Sequence, residues 1–503
     1  MQHRLSREEI AKIEIGHTEV TRAQQLALTI FFLAAIVVYP VCQFCSHQPF
    51  ADWSDRGELL ASIKAYETTI EDNSLLRKWL LAPAQRFLTA VFRTGNEKVI
   101  VGKDGWLFFS GDYEYLVNPG FLDAGVLAKR AQKGVQPDPV KAITDFGRQL
   151  ESRGIRLIVL PVPVKPMIYA DKLGANEFPL QNPSFAEFKK RLESAGVTVV
   201  DLAQEFSALR KRGVEPYLKT DTHWTPEAME VAALVTARAV DASAAKPRAA
   251  AHHQVTNLGD IAAMLKLPGC EKYFHAETVK VADYDRRPRN DGEVLLLGDS
   301  FANIYTLKAL NWGENGGFAE ALGACLGRPV DALLRNDAGA FATRQLLANE
   351  LKRGRDRLAG QKVVVYEFAI RELVNGDWKM LDLTPGKAPE SRFLKVASPV
   401  VVTATVLNAS AVPRPNSAPY KDHVMSLHLG DIDGGGQVVV YAVSMRDNVW
   451  TDAARLRTGD TVKIRLEPWE KREVEFGSWN RSEFDDENLL LAEPVYGEIV
   501  SEK

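Results

Sequence analysis

The apolar positions change character three times along the chain. First comes a single uncharged run, LALTIFFLAAIVVYPVC from Leu26 to Cys42, and then a mostly helical pattern from Ser54 to about Phe92, interrupted near Pro83. With Gln24–Gln25 and Gln43–Phe44 the run approaches the roughly 20 residues that a bilayer-crossing helix needs. The aromatic stretch VIVGKDGWLFFSGDYEYLV then predicts a β-hairpin within Val99–Val117, turning at Asp104–Gly105.

From Pro139 helices and strands alternate. Helical spacing predicts helices over Val140–Ser152, Ser184–Ala195, Pro226–Val240, Ala302–Ala309 and Ala340–Arg353. Continuous apolar runs predict strands over Ile155–Val164, Val197–Leu202, Glu293–Ser300 and Lys362–Phe368. Such strands between amphipathic helices mark an α/β fold, with a mostly parallel sheet covered on both faces. Near residue 395 helical periodicity stops, after the linker-like KMLDLTPGKAPESRF. Val400–Val406, Val424–Leu429, Gln437–Val443 and Thr461–Leu466 then predict a small all-β barrel or sandwich, in which GGGQVVVYAV and TGDTVKIRLEPW resemble OB-like barrels. The expected division is a tail at 1–25, a transmembrane anchor at 26–45, an α/β domain at 46–395 and a β domain at 396–503.

Charge adds a direction to this plan. The net formal charge of −3 lacks the basic excess of a nucleic-acid binder, so no nucleic acid is expected as a partner. Arg4, Arg7, Lys12 and Arg22 precede the apolar run, whereas Asp52, Asp55 and Glu58 follow it. The positive-inside rule keeps the N-terminus in the cytoplasm and sends the remainder out. A cleaved signal peptide is the competing reading, but the polar leader is long and no A-x-A site follows. Val41 before Cys42 also argues against lipidation. The expectation is a single-pass inner-membrane protein whose α/β and β parts lie in the periplasm.

Export gives the cysteines a second meaning. Cys270 and Cys325 are either a disulfide or two buried thiols, while Cys42 and Cys45 form a C-x-x-C without redox-domain surroundings. No His/Cys cluster has zinc-site spacing, so no metal is expected. The adjacent His252 and His253 read as exposed loop residues. No nucleotide-binding fingerprint is present, and no cofactor is expected.

Two polar motifs remain. Ser300 ends an apolar strand in LLLGDSFAN, where a helix is expected to start. The carboxyl ends of strands in open α/β sheets gather ligands, Gly298 permits a tight turn, and a helix N-terminus offers N–H groups to an oxyanion. A serine nucleophile also needs a base, and the base needs a carboxylate that fixes its tautomer. In TDTHWTPEAM, Asp221 and His223 are two apart, so an extended segment projects both to one side. Each motif has an ordinary structural reading as well. G-D-S is often a helix cap, and Thr225–Pro226–Glu227 makes an ordinary helix start.

Together the motifs resemble a family. The strand–G-D-S–helix serine with an Asp-x-x-His or Asp-x-His pair is the pattern of SGNH hydrolases, which this chain resembles. The reversed order, with DTHW ahead of the serine, resembles the circularly permuted SGNH-like domain of alginate O-acetyltransferases of AlgJ and AlgX type. VGKDGWLF at Val101–Phe108, PVPVKPMIYADKL at Pro161–Leu173 and YEFAIRELV at Tyr366–Val374 extend the likeness over roughly residues 95 to 380. The resemblance implies that Ser300 is the nucleophile, His223 the base and Asp221 its orienter. It lacks a clear G-x-N-D block; RNDAG at Arg335–Gly339 has only the N-D pair. Lys165, Tyr169, Trp224 and Arg371 lie in family-like blocks and are candidates for binding sugar, each with a structural role as the alternative.

The resulting expectation is an O-acetyltransferase acting on hydroxyls of an exported polysaccharide, supplied with acetyl groups by a multi-spanning membrane acyltransferase. Its rivals are an acetylesterase with the same triad and a noncatalytic polysaccharide-binding scaffold that uses the β domain.

Overall fold

The computed structural model describes residues 7, 21–46, 80–175, 179–267, 269–336, 339–386, 393–413, 415, 420–432, 435–477, 479–484, 486, 489–490 and 492–500. The chain divides into two units, residues 1–88 and 89–503. In the first, Arg22–Ser46 forms one 25-residue helix, and its leucines and phenylalanines at Leu26, Leu28, Phe31 and Phe32 are exposed. Among the described residues no helix is long and apolar enough to cross a membrane. The Cys42 and Cys45 side chains and most of the helical pattern expected after Ser54 lie outside the described residues. Its last part is the helix Ala82–Phe92, which contains Pro83 in its first turn, where a missing N–H costs nothing.

The second unit begins with a short antiparallel pair, β1 (Val99–Val101) and β2 (Leu107–Phe109). Asp104 and Gly105 both take positive φ in the turn, as the D-G motif requires. The hairpin ends there, because Ser110–Val117 is a helix rather than a strand. Its buried residues Asp112 and Tyr115 are three apart, a helical spacing that the run of aromatic residues conceals.

β3 (Arg156–Val162), β4 (Thr198–Val199), β7 (Val294–Gly298), β8 (Asp331–Leu334) and β9 (Val363–Ala369) build a five-stranded parallel sheet in the order β4-β3-β9-β7-β8. Between β4 and β7 the chain adds an antiparallel hairpin, β5 (Ala251–Asn257) with β6 (Glu277–Asp283). His252 and His253 therefore belong to a strand and not to a loop. The predicted strand at Val197–Leu202 shrinks to two residues at the sheet edge. Helices Pro139–Glu151, Phe185–Ser194, Pro226–Val240, Phe318–Leu326 and Ala342–Lys352 cover the sheet, and Val159, Leu160, Leu296 and Val365 are buried between the layers.

β10 (Val400–Ala409), β11 (His423–Gly430), β12 (Val438–Arg446), β13 (Val449–Trp450), β14 (Thr461–Pro468), β15 (Arg481–Ser482) and β16 (Val495–Ile499) form the second sheet. Pairing of β11 with β12 closes the ring β11-β10-β14-β16-β12 into a barrel, with Val406, Leu427, Val440 and Ile464 inside. Polar contacts tie it to the α/β layer. Arg335 donates to the Arg481 carbonyl at 2.7 Å, Lys421 to Asn311 at 3.3 Å, and Arg353 to the Leu490 carbonyl.

Cys270 and Cys325 are both free and buried, so the disulfide alternative is set aside. They sit in different clusters: Cys270 packs with Leu107 and Ile261, and Cys325 lies in the main core. Burial pushes their thiols up to about 11 and about 12, which leaves them protonated and unreactive.

Candidate active site

The segments that follow β7, β8 and β9 line a cavity at Ser300, and the segment carrying Asp221 and His223 reaches the same serine. β7 is apolar throughout and ends at Gly298, where the chain turns under the neighbouring strand. A Cβ at Gly298 would lie 2.7 Å from the Ala302 Cβ and 2.9 Å from Glu367 Oε2, so only glycine fits. Asp299 then caps the helix, its carboxylate accepting the Phe301 N–H at 2.8 Å. Capping is thus done by the residue before Ser300, and the Ser300 hydroxyl points elsewhere. The helix itself is a single turn, Ser300–Asn303, in place of the helix expected over Ala302–Ala309. The chain then bends back, fixed by Tyr305 Oη on the Trp224 carbonyl (2.7 Å) and Thr306 Oγ1 on Glu320 (2.7 Å), and this return brings Trp312 inward.

Ser300 Oγ lies 2.9 Å from His223 Nε2, and His223 Nδ1 lies 2.7 Å from Asp221 Oδ1. All three are buried, yet Ser300 keeps 8% exposure and His223 5%, a narrow opening at the reacting atoms. The Phe301 ring packs on the imidazole with centroids 4.8 Å apart. Asp221 is saturated with donors. Oδ1 also accepts the His223 backbone N–H at 3.0 Å, and Oδ2 accepts Asp260 N at 3.0 Å and Trp312 Nε1 at 2.7 Å. Burial works to raise the Asp221 carboxyl, but the His223 charge and these bonds outweigh it and hold the group at about 2. Burial opposes the His223 imidazolium, and the Asp221 charge and hydrogen bond raise its pKa in spite of that. The carboxylate therefore stays ionised and presents Nε2 of the neutral ring to the serine.

Sequence spacing did not reveal the template beneath this segment. Gly259, at φ +88°, presses so closely on residue 220 that a Cβ would lie 2.5 Å from the Thr220 carbonyl oxygen. Asp260 Oδ1 accepts Thr222 N at 2.7 Å, its Oδ2 accepts the Thr222 hydroxyl, and Thr220 Oγ1 bonds the Leu258 carbonyl. Asp260 Oδ2 is also 3.9 Å from His223 Nδ1. Burial and then the Asp221 charge push its carboxyl up to about 6. The only hint in the sequence was LGD, a glycine followed by a short polar side chain. Asp221, His223 and Asp260 could bring one ligand atom each within 4.8 Å of one another. Both Asp221 oxygens already accept N–H groups, which suits an orienting carboxylate better than a cation ligand.

The sugar-binding candidates separate. Arg371 lines a cavity with Ser300, Asp299, Arg335 and Glu367, and pairs with Asp112 at 2.8 Å. The other three are fully buried, out of reach of a polymer. Lys165 donates to the carbonyls of Leu107 (2.8 Å) and Lys219 (3.1 Å), clamping the hairpin to the segment that carries Asp221. Burial lowers its amine to about 8. Tyr169 donates to Glu215 at 2.5 Å beneath the Arg210 guanidinium. Trp224 is core, packed on Phe301, Phe318 and Phe206. Asn336, from the RNDAG block, is buried at the end of β8, where its Oδ1 accepts Asn303 Nδ2 at 3.2 Å.

Residues 99–370 match the profile of the family described as SGNH hydrolase-like domain, acetyltransferase AlgX. The chain belongs to that family. Among curated relatives, the probable alginate O-acetylase AlgJ of Pseudomonas syringae pv. tomato is 26% identical over 216 residues, covering 42% of this chain and 52% of the relative. The protein of the same description from Pseudomonas putida is 32% identical over 152 residues, 30% of this chain and 36% of the relative. The chain thus spans about half the length, or less, of the curated relatives it matches. Among solved structures, the O-acetyltransferase domain of Pseudomonas putida AlgJ aligns at 24% identity and a TM-score of 0.42, covering 55% of this chain and 92% of that one. AlgX of Pseudomonas aeruginosa aligns at 14% identity and a TM-score of 0.38, covering 74% and 91%.

Proposed function

We propose that this chain is a serine-dependent O-acetyltransferase that acetylates hydroxyls of an exported polysaccharide, with alginate, named for its relatives, as the first polymer to try. The hydrogen-bonded line from Ser300 Oγ through His223 to Asp221 is the observation that carries this reading. In the first half-reaction His223 Nε2 removes the Ser300 proton as Oγ attacks an acetyl ester. The same proton passes to the departing alcohol, leaving acetyl-Ser300. In the second half-reaction His223 deprotonates a sugar hydroxyl, whose oxygen attacks the acetyl carbon, and the proton returns to Oγ as the ester is released. Asp221 remains ionised throughout and holds the imidazole. No step calls for a metal or a cofactor.

The cellular setting belongs to the proposal as well. The charge asymmetry around Leu26–Cys42 supports a single-pass inner-membrane anchor with the active site in the periplasm. A multi-spanning membrane acyltransferase would then deliver acetyl groups across the membrane. Incubation with an activated acetyl ester, followed by peptide mass spectrometry, should find the acetyl group on Ser300. Transfer of that group to added polysaccharide supports the transferase, release as acetate alone would identify an esterase, and an unlabelled Ser300 would remove both readings.

A further inference from the structure

A glutamate occupies the middle of the parallel sheet. Glu367 on β9 is 1% exposed, with β3 on one side and β7 on the other. Its Oε2 accepts the Asp299 N–H at 2.9 Å, and the Ala302 backbone is a further donor to the carboxyl group. These two residues bracket Ser300. The other oxygen, Oε1, is buried and receives no donor. The side-chain hydrogen-bond partner of Glu367 is itself an acceptor, the Asp299 carboxylate. Asp299 already has backbone donors on both oxygens, Phe301 N at 2.8 Å and Ala369 N at 2.7 Å. Glu367 is buried beside this half-buried carboxylate, and a proton on Glu367 removes the cost of a buried charge whose second oxygen has no donor.

We propose that Glu367 is a positioning residue held as the neutral acid, donating its O–H to the Asp299 carboxylate and accepting the Asp299 N–H, so that the pair fixes the turn that carries Ser300. This rests on the reading of Ser300 as the nucleophile. Burial first, and then the Asp299 charge, push the Glu367 carboxyl well above the usual range. The other charged or titratable side chains around the shared cavity are Arg335, Tyr366, Arg371 and Glu372. Arg371 is paired with Asp112, and Arg335 donates to the Arg481 carbonyl. Among the described residues no cation pairs with Glu367, so nothing holds it ionised. The clearance at Gly298, 2.9 Å from Glu367 Oε2 for a Cβ, shows how closely the carboxyl group supports the turn.

The test is the rate at which phenylmethylsulfonyl fluoride labels Ser300, followed by intact mass in the full chain at neutral pH. Glu367→Ala removes both bonds and is expected to slow labelling at least about tenfold. Glu367→Gln keeps an acceptor for Asp299 N–H and a donor for the Asp299 carboxylate, and should recover most of that rate. Circular dichroism verifies that each variant is folded. The proposal is overturned if folded E367A is labelled as fast as wild type. It is equally overturned if E367Q is as slow as E367A. An unlabelled wild-type Ser300 removes the nucleophile reading and this proposal with it; labelling indifferent to Glu367 removes this proposal alone.

Discussion

Trp312→Phe tests the bracing of Asp221 without touching the three proposed catalytic residues. Trp312 is fully buried, and its indole N–H reaches Asp221 Oδ2 at 2.7 Å. Phenylalanine keeps most of the apolar contact and removes that one donor. A hydrogen bond to a charged group contributes about 1.5–3 kcal/mol. Asp221 keeps the Asp260 N–H on the same oxygen and both His223 donors on the other, so the loss belongs in the lower half of that range. At about 1.4 kcal/mol per factor of ten, kcat should fall by about 10- to 40-fold. KM for a small acetyl ester should not move, because Trp312 is not among the residues lining the cavity beside Ser300. The loss should also be constant with pH. Removing a donor raises the Asp221 pKa from about 2, which leaves the group ionised throughout a neutral assay. The assay is acetate release from an activated ester over a range of concentrations and pH, with thermal unfolding run in parallel. A folded variant with unchanged kcat, or one in which only KM rises, would refute the claim that orientation of Asp221 limits the chemistry.

Other outcomes follow from the same contacts. Ser300→Ala and His223→Ala should each lower turnover by several orders of magnitude in folded protein, as loss of a triad member does; a variant near wild-type turnover ends the covalent scheme. Asp221→Asn should be almost as damaging, since the amide lets the ring take the wrong tautomer, and steady-state kinetics would expose a mild effect. The pH profile has a definite sign: His223 serves as base only when neutral, so with its pKa raised, activity is present above that value and lost as pH falls through it. Asp260→Asn removes a carboxylate 3.9 Å from Nδ1 and should shift this acid limb to lower pH, so an unmoved limb counts against the electrostatic coupling. Deleting residues 396–503 strips the Arg481 and Leu490 carbonyls from Arg335 and Arg353, and should lower both the unfolding temperature and turnover of a small ester. A truncated protein as stable and active as the full chain would show that the barrel does not support the site.

Much of the α/β layer could be read from the order of residues because each element carried a local signal. Pro226–Val240 starts at a proline behind a capping threonine, β7 is apolar along its length, and β3 and β9 depart from that only at Arg156 and at Tyr366–Glu367, as suits strands buried on both faces. Elements whose shape is set by distant partners were misread. Ser110–Val117 looks like a strand until Asp112 is placed against Arg371. The return after Asn303 depends on Tyr305 reaching Trp224. The proximity of Asp221, His223 and Ser300 was suggested by two short motifs, but Trp312 had none, Asp260 only the LGD turn and Glu367 only its place in YEFAIRELV, since a hydrogen bond made across the fold leaves no spacing rule in the chain. For Lys165 and Tyr169 residue type misled for the opposite reason: polar groups that suit a sugar also suit buried backbone carbonyls and a buried carboxylate.

The pairing of Asp112 with Arg371 joins residues 259 positions apart, and Ser300 meets His223 across 77. Contacts of such long range close late, because the intervening loop must be ordered before they return any free energy. A nascent chain that has just released the turn after β7 already contains Asp221, His223 and Ser300, but not β9, and therefore neither Glu367 nor Arg371. The reactive serine is thus synthesised well before the strand that supports its turn. An elongating or partly folded chain would hold the nucleophile and base in an unbraced arrangement, and competence for chemistry would arrive together with completion of the sheet. Time-resolved labelling of Ser300 during refolding should accordingly track the slowest phase of sheet formation instead of the early collapse.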